Sequence, residues 1–220
     1  MNDSSTPQLR GLLVDWGGVL TVPLPDAVSA WASSDGVDLA HYVAIMRDWF
    51  GDAVGREAEI NPVHALERGE LAVPHFEDRL AAELTARTGV VVEARGLVAR
   101  MFEYFDLLPD MPALVRRARE AGIHTALLSN SWGLDYPRDG WDDMFDAIII
   151  SGEVGMRKPE SRIYRLAAEQ VGLAPNECVF VDDLQVNIVG AVEVGMVGVL
   201  HREYEVTANE LEILFGIPLR

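Results

Sequence analysis

Five short runs of apolar residues recur along the chain, and a polar residue follows each of them. Runs that are apolar on both faces are typical of strands buried in a parallel sheet. The pattern therefore predicts five buried strands, each with a polar side chain at its carboxyl end. These runs are 12–14 before Asp15, 125–128 before Ser129, 147–150 before Ser151, 179–181 before Asp182, and 197–200 before His201.

Helical patterns separate these strands in the second half of the chain. They span 110–121, 159–171 and 185–194, and each is followed by a glycine, the residue that most often ends a helix. Pro159 is placed as a helix start. Alternating strands and helices predict an α/β fold, a Rossmann-like doubly wound parallel sheet. Such sheets bind ligands beyond the carboxyl ends of their strands.

The stretch 22–106 differs from the rest. Its pattern predicts helices around 26–33, 39–50, 61–67, 75–88 and 93–105, with one strand-like run at 90–92. An all-helical insertion after the first strand predicts a cap over the site. We therefore expect a discontinuous core, 1–21 and 107–220, and a helical cap, 22–106. The alternative is a larger helical layer of a single domain.

Charge and cysteine content narrow the possible partners. The 220 residues include 35 Asp and Glu against 18 Lys and Arg, a net charge of −17, which argues against nucleic acid or an anionic membrane as the partner. The single cysteine, Cys178, suits a reducing cytoplasm. Residues 1–8 are polar and lack a signal-peptide core, and no apolar run reaches membrane-spanning length. We expect a cytoplasmic protein.

Two strand ends carry groups suited to substrate chemistry. Asp15 is followed by Trp16 and two glycines, Gly17 and Gly18, which allow a sharp turn and close approach of a ligand. A carboxylate there can attack an electrophile or bind a cation. At the second end, the Ser129 hydroxyl and nearby backbone amides can hold an anion, although Ser129 is also a common type of capping residue.

Two further elements supply a cation and paired carboxylates. Lys158 is the only lysine among the 18 basic residues, and a compact ammonium suits a tight site, although chance can also leave one lysine. Asp182, Asp183 and the amide of Asn187 offer the oxygen ligands that Mg²⁺ prefers. The alternative for the acidic pair is a solvated turn.

The order Asp15, Ser129, Lys158, Asp182-Asp183 resembles the haloacid dehalogenase-like hydrolase superfamily, most of whose members are phosphatases. The resemblance covers about 9–202 and implies a Rossmann-like core with an inserted helical cap, as in subfamily IA. The Gly-Met-Arg-Lys-Pro-Glu and Val-Asp-Asp signatures, together with Glu67-Arg68-Gly69-Glu70, resemble the branch that includes the α-glucose-1-phosphate phosphatases.

The resemblance implies a role for each matched residue. Asp15 would be the nucleophile that takes the phosphoryl group, and Lys158 would stabilise both. Asp183 would be the main Mg²⁺ ligand, with Asp15 and the Gly17 carbonyl. The positions implied to bind substrate are Trp16, Ser129, Asn130 and Lys158, and the supporting positions are Asp182 and Asn187.

Gly17 departs from the family pattern, because most of these phosphatases carry there a second Asp that acts as general acid and base. The sequence still predicts a Mg²⁺-dependent phosphomonoester hydrolase acting on a small phosphorylated metabolite such as a sugar phosphate. One alternative is a metal-independent haloacid dehalogenase-type hydrolase, and another is a catalytically impaired phosphate-binding relative. A phosphonoacetaldehyde hydrolase is excluded, because 22–106 contains no lysine for a Schiff base. The sequence does not indicate an oligomeric state.

Overall fold

A computed structural model describes residues 8–51 and 61–220. Its centre is a parallel sheet of five strands in the order β3-β2-β1-β4-β5, which confirms the predicted doubly wound fold. The prediction of a polar amino terminus falls mostly on 1–7, outside the described residues. The strands are β1 (Gly11–Val14), β2 (His124–Ser129), β3 (Ala147–Ile150), β4 (Cys178–Asp182) and β5 (Val197–Leu200).

Ten α-helices connect and cover these strands in the described part of the chain. A short 3₁₀ turn, Pro175–Glu177, precedes β4. The helices are α1 (Leu24–Asp35), α2 (Leu39–Gly51), α3 (Pro62–Glu67), α4 (Val73–Thr88), α5 (Leu97–Phe102), α6 (Asp110–Glu120), α7 (Ser151–Val154), α8 (Ser161–Gln170), α9 (Gln185–Glu193) and α10 (Tyr204–Phe215).

Alternate residues of each strand supply two separate cores. Leu12 and Val14 of β1 pack with α6 and α10 on one face of the sheet. Leu13 packs with α8 and α9 on the other. Successive side chains of a strand point to opposite faces, so an apolar run such as 12–14 is buried on both. This explains why the strands have no polar alternation.

Helices α1 to α5 lie between β1 and α6 and share a hydrophobic cluster of their own, centred on residues such as Trp31, Phe76 and Leu80. The chain enters and leaves this helical segment side by side, through an antiparallel bridge between Thr21 and Leu107. The division into a core and a cap domain stays a prediction, although these junctions coincide with its predicted boundaries.

The structure corrects four local predictions. Residues 90–92 do not form a strand, and Val91 is 85% exposed, with none of the five described strands beside it. The helix predicted over 93–105 is only α5, because Gly96 at its start has a left-handed φ of 72°. Pro159 does not open a helix, since α8 begins at Ser161. Helix α10, which the sequence analysis missed, covers the sheet at Leu211.

Among the described helices, none combines the length and the apolar character needed to cross a membrane.

Candidate active site

The strand order brings Asp15 and Asp182 side by side. Strand β1 is central, with β2 on one side and β4 on the other. In the register of β1 and β4, Val14 lies opposite Val181, and the backbone N–H of Asp15 donates to the Val181 carbonyl at 2.9 Å. The chain crosses from one side of β1 to the other between β3 and β4, so this is the switch point where doubly wound sheets bind ligands.

Lys158 lies between these two carboxylates. Its Nζ is 2.8 Å from Oδ1 of Asp15 and 2.7 Å from Oδ2 of Asp182. The lysine is fully buried, with its ammonium 5.4 Å from the centre of the Phe180 ring. Burial alone would lower the pKa of Lys158, but Asp15 and Asp182 outweigh it and hold the pKa above its usual value. The ammonium therefore stays charged.

Asp182 holds the lysine and has little capacity left for a metal. Besides Lys158, its carboxylate accepts hydrogen bonds from the amide of Asn187 at 3.0 and 3.1 Å. It also accepts one from the backbone N–H of Leu184 at 2.8 Å. Asn187 thus orients Asp182, and the supporting role of these two residues stays a prediction.

Asp183 has the opposite environment. Among the described residues, its Oδ1 is buried and has no hydrogen-bond partner. Burial, followed by the negative charge of Asp182, raises the pKa of Asp183 to about 6. Its other oxygen lies against Gly18, where an added Cβ would come within 2.5 Å of Oδ2. Glycine at 18 is therefore what admits this carboxylate.

The site carries more negative than positive charge. One oxygen from each of Asp15, Asp182 and Asp183 lies within 4.8 Å of the others, and Lys158 neutralises only one of the three charges. Burial raises the pKa of Asp15, while Lys158 opposes that rise. A divalent cation held by oxygen atoms would balance the excess charge. The donor set therefore fits Mg²⁺, with Asp15 and Asp183 as the carboxylates available to it.

The remaining predicted residues line the same place. Ser129 is buried, and its hydroxyl lies 3.0 Å from the Tyr136 hydroxyl. The side chain of Asn130 pairs with the backbone of Lys158, accepting from its N–H at 2.9 Å and donating to its carbonyl at 3.1 Å. The backbone N–H of Trp16 donates to Asp15 Oδ1 at 2.7 Å. Asn130 and Trp16 thus hold Lys158 and Asp15 in place.

Sequence reasoning missed a buried ion pair beside the lysine. Arg157 donates to the carboxylate of Glu67 at the end of α3, and burial raises the pKa of Glu67 while Arg157 opposes that rise. Arg68 and Glu160 form a second pair at 2.5 Å. All four residues lie within the two signatures named in the sequence analysis, 67–70 and 155–160, but nothing in the sequence indicated that these two signatures pair with each other.

A cavity of about 280 Å³ opens above Asp15, between the strand ends and the helical segment. Asp15, Gly17, Ser129, Asn130, Lys158 and Asn187 line it on the sheet side. Apolar side chains of α1, α2 and α5 line the helical side. The predicted site residues thus face a partly open cavity large enough for a small molecule.

A comparison with known protein families shows the family to which this chain belongs. A family model described as haloacid dehalogenase-like hydrolase matches residues 9–195. The chain belongs to this family. Its fold, with a five-stranded parallel sheet and an aspartate at the end of β1, is consistent with that membership, and the superfamily resemblance is confirmed. The subfamily and branch stay predictions.

Curated relatives include proteins much longer than this chain as well as phosphatases. Mouse acyl-CoA dehydrogenase family member 10 is 30% identical over 219 residues, which are 96% of this chain and 19% of that protein. The sesquiterpene phosphatase astK of Aspergillus oryzae is 33% identical over 117 residues, 50% of this chain and 59% of the relative. The chain thus spans less than two thirds of these relatives' lengths.

A solved structure shows the same fold. The HAD family enzyme bt-2542 of Bacteroides thetaiotaomicron, in complex with magnesium and inorganic phosphate, aligns with a TM-score of 0.60 and 22% identity, covering 88% of this chain and 94% of that one.

Proposed function

We propose that this chain is a Mg²⁺-dependent phosphomonoester hydrolase in which Asp15 is the nucleophile. The observation that carries the proposal is the buried ion pair of Asp15 with Lys158 at 2.8 Å, placed where the central strand meets the cavity. The phosphatase among the relatives and the magnesium and phosphate bound by a protein of the same fold support it. The substrate is a small phosphorylated metabolite, and the helical segment acts as a cap.

In the first step, a carboxylate oxygen of Asp15 forms a bond to phosphorus, and the bond between phosphorus and the leaving oxygen breaks. The leaving oxygen keeps the electron pair and takes up a proton from a water molecule, because Gly17 has no side chain to supply one. In the second step, water attacks the phosphorus of the aspartyl-phosphate, which releases inorganic phosphate and restores the Asp15 carboxylate. Lys158, held by Asp182, keeps positive charge beside both steps.

Asp15 and Asp183, with the main-chain carbonyl of Gly17, would hold the Mg²⁺. When bound, Mg²⁺ supplies positive charge that offsets the repulsion between the carboxylates and an anionic substrate. The buried oxygen of Asp183 that lacks a partner among the described residues supports its assignment as the main ligand. Ser129 would donate its hydroxyl to a phosphoryl oxygen.

Hydrolysis of p-nitrophenyl phosphate tests this proposal. We expect turnover with Mg²⁺ and none with EDTA, and we expect Asp15→Asn and Asp183→Ala to abolish it in folded protein. Asp139→Asn, at an exposed position that does not line the cavity, is the matched control and should retain full activity. Activity that survives EDTA, or survives in Asp15→Asn, would overturn the mechanism.

The same assay separates the alternatives left open by the sequence. Release of halide from 2-haloacids in EDTA would favour the metal-independent dehalogenase reaction. Binding of inorganic phosphate without turnover of any ester would favour a catalytically impaired relative, because Gly17 offers no side chain to protonate a leaving group.

A further inference from the structure

The cavity above Asp15 differs in chemistry between its two sides. Its sheet side carries the polar groups described above. Its helical side is formed by hydrocarbon and aromatic side chains, among them Leu24 and Val28 of α1, Met46 of α2, and Met101 and Phe102 of α5. Leu24 and Val28 are four residues apart, so they lie on one face of their helix.

This apolar surface reaches the reacting centre itself. A Cβ added at Gly17 would lie 3.2 Å from Cδ2 of Leu24, so a methyl group of α1 lies beside Gly17, two residues after Asp15. The Trp16 ring, stacked near Phe102 and Phe105 at 6.0 and 5.9 Å between centroids, continues the surface. An alcohol leaving from phosphorus would therefore enter hydrocarbon surroundings directly.

Most polar groups that face the helical side of the cavity already have a partner, and the exception is the indole N–H of Trp16, which is buried without a hydrogen-bond partner among the described residues. Glu67 pairs with Arg157, and the Tyr136 hydroxyl pairs with Ser129. The Tyr42 hydroxyl contacts the Met101 sulfur at 3.7 Å. A sugar placed here could bond one hydroxyl to the Trp16 N–H, but for its other hydroxyls it would have to displace these bonds or leave them without partners among the described lining residues, and buried hydroxyls without partners are costly.

We infer that the leaving group of the substrate is an apolar alcohol, so that the cavity holds a hydrocarbon body while the sheet side holds its phosphate. This rests on the proposed function and narrows its substrate class. It differs from the sugar phosphates that the sequence resemblance suggests. Specificity then comes from the apolar side chains of α1, α2 and α5.

A homologous series of n-alkyl phosphates tests the inference. Butyl, hexyl and octyl phosphate release primary alkanols of nearly equal basicity. Differences between their rates therefore report how well the alkyl group binds, and do not report how the leaving oxygen gains its proton. We expect kcat/KM with Mg²⁺ to rise by up to about fourfold per methylene until the cavity is full. Glycerol phosphate and glucose 6-phosphate should be poorer substrates than hexyl phosphate.

Two substitutions test whether the preference for long alkyl groups arises in this cavity. Val28→Phe fills the cavity, and we expect it to lower kcat/KM for octyl relative to butyl phosphate by about tenfold or more, the value of two methylenes. Val43→Phe, at an exposed position on α2 (54% exposed), is the matched control and should leave the ratio unchanged. If Val28→Phe does not fold, Val28→Thr places a hydroxyl in nearly the same volume and should also lower the ratio.

The outcomes distinguish the inference from the proposed function. A flat alkyl series, or better turnover of sugar phosphates, in an enzyme that hydrolyses p-nitrophenyl phosphate overturns the inference alone. If no ester is hydrolysed, the proposed function fails, and calorimetric titration of the protein with n-octyl- and ethylphosphonate decides the inference. Tighter binding of octylphosphonate supports it, and equal affinities overturn it.

Discussion

Lys158 is the residue on which the charge balance of the site depends. It is the only lysine in a chain with 17 arginines, and its ammonium lies within 2.8 Å of two carboxylates while fully buried. Removing one member of such a buried network leaves the other charges uncompensated. The preference for lysine over arginine here therefore has a steric and an electrostatic cause.

We expect Lys158→Arg to lower kcat by more than about tenfold, a loss of at least 1.4 kcal/mol in transition-state stabilisation, although the charge is kept. The guanidinium is broader than an ammonium and cannot place one nitrogen between Asp15 and Asp182. Arg162→Lys, at an exposed position of α8, is the control. Steady-state assays that show near wild-type kcat for Lys158→Arg would make the lone lysine an accident of composition.

Gly17 is the second residue that matters for the reaction, because it has no side chain to donate a proton to the leaving group. An aspartate at 17 would strain the backbone only if Gly17 had a conformation reserved for glycine. It is Gly18, with a φ of 70°, that has the left-handed conformation, whereas at Gly17 an added Cβ would meet only the flexible end of Leu24 at 3.2 Å. A carboxylate can therefore be introduced at 17 with a small shift of Leu24.

We expect the wild-type rate to fall steeply as the leaving group becomes more basic, because no carboxylic acid stands at 17. Gly17→Asp should raise hydrolysis of alkyl relative to aryl phosphates by roughly 10²-fold, the lower range of general acid catalysis. Gly17→Asn introduces a side chain of nearly the same shape as Asp but without an acidic proton, so it should not raise hydrolysis of alkyl relative to aryl phosphates. Equal rates on aryl and alkyl esters in the wild type would show that another group supplies the proton.

At the scale of elements, the end of α3 is tied to the loop that carries Lys158. Glu67 pairs with Arg157, both nearly buried, and the carbonyl of Glu67 accepts from the Ser151 hydroxyl of α7 at 2.5 Å. Gly69 lies so near Gly152 that a Cβ would come within 2.8 Å of its carbonyl oxygen. The helical segment is thus joined to the lysine loop by contacts that leave little freedom.

We expect Glu67→Gln to lower the free energy of unfolding by about 2 kcal/mol, because it leaves a buried guanidinium without its carboxylate. The control is Glu153→Gln, which breaks the exposed pair of Arg138 and Glu153 and should cost less than about 0.5 kcal/mol. Urea unfolding of the two variants measures the difference. Equal costs would mean that the buried pair contributes nothing specific.

At the scale of the whole molecule, the crossover of the sheet assembles the site. Strand β1 sits between β2 and β4, so residues far apart in the chain, Asp15, Ser129 and Asp182, end at one edge. The helical segment, which follows β1 directly, then closes over that edge and supplies the apolar side of the cavity. Neither part encloses a substrate alone.

Local sequence patterns were sufficient for the sheet and for the polar residues at its edge. The strands are short apolar runs, fully buried in β1 and β4 and partly buried in the edge strands β3 and β5, and such runs are visible without knowledge of their partners. The same reasoning was wrong at 90–92, because three valines form a strand only where a neighbour offers backbone hydrogen bonds. It missed α10, whose apolar residues are partly exposed, including Ile213 at 72%.

The sequence by itself determined the fold class, the superfamily and which residues gather at the strand ends, since these depend on periodicity and on motifs that are local. Only the tertiary structure decided what each group touches. In the structure Asp182 binds Lys158, whereas Asp183 keeps an oxygen without a partner among the described residues. Glu67 pairs with Arg157, and apolar side chains line one side of the cavity. These features depend on distances between side chains that are remote in the chain, and no local pattern encodes such distances.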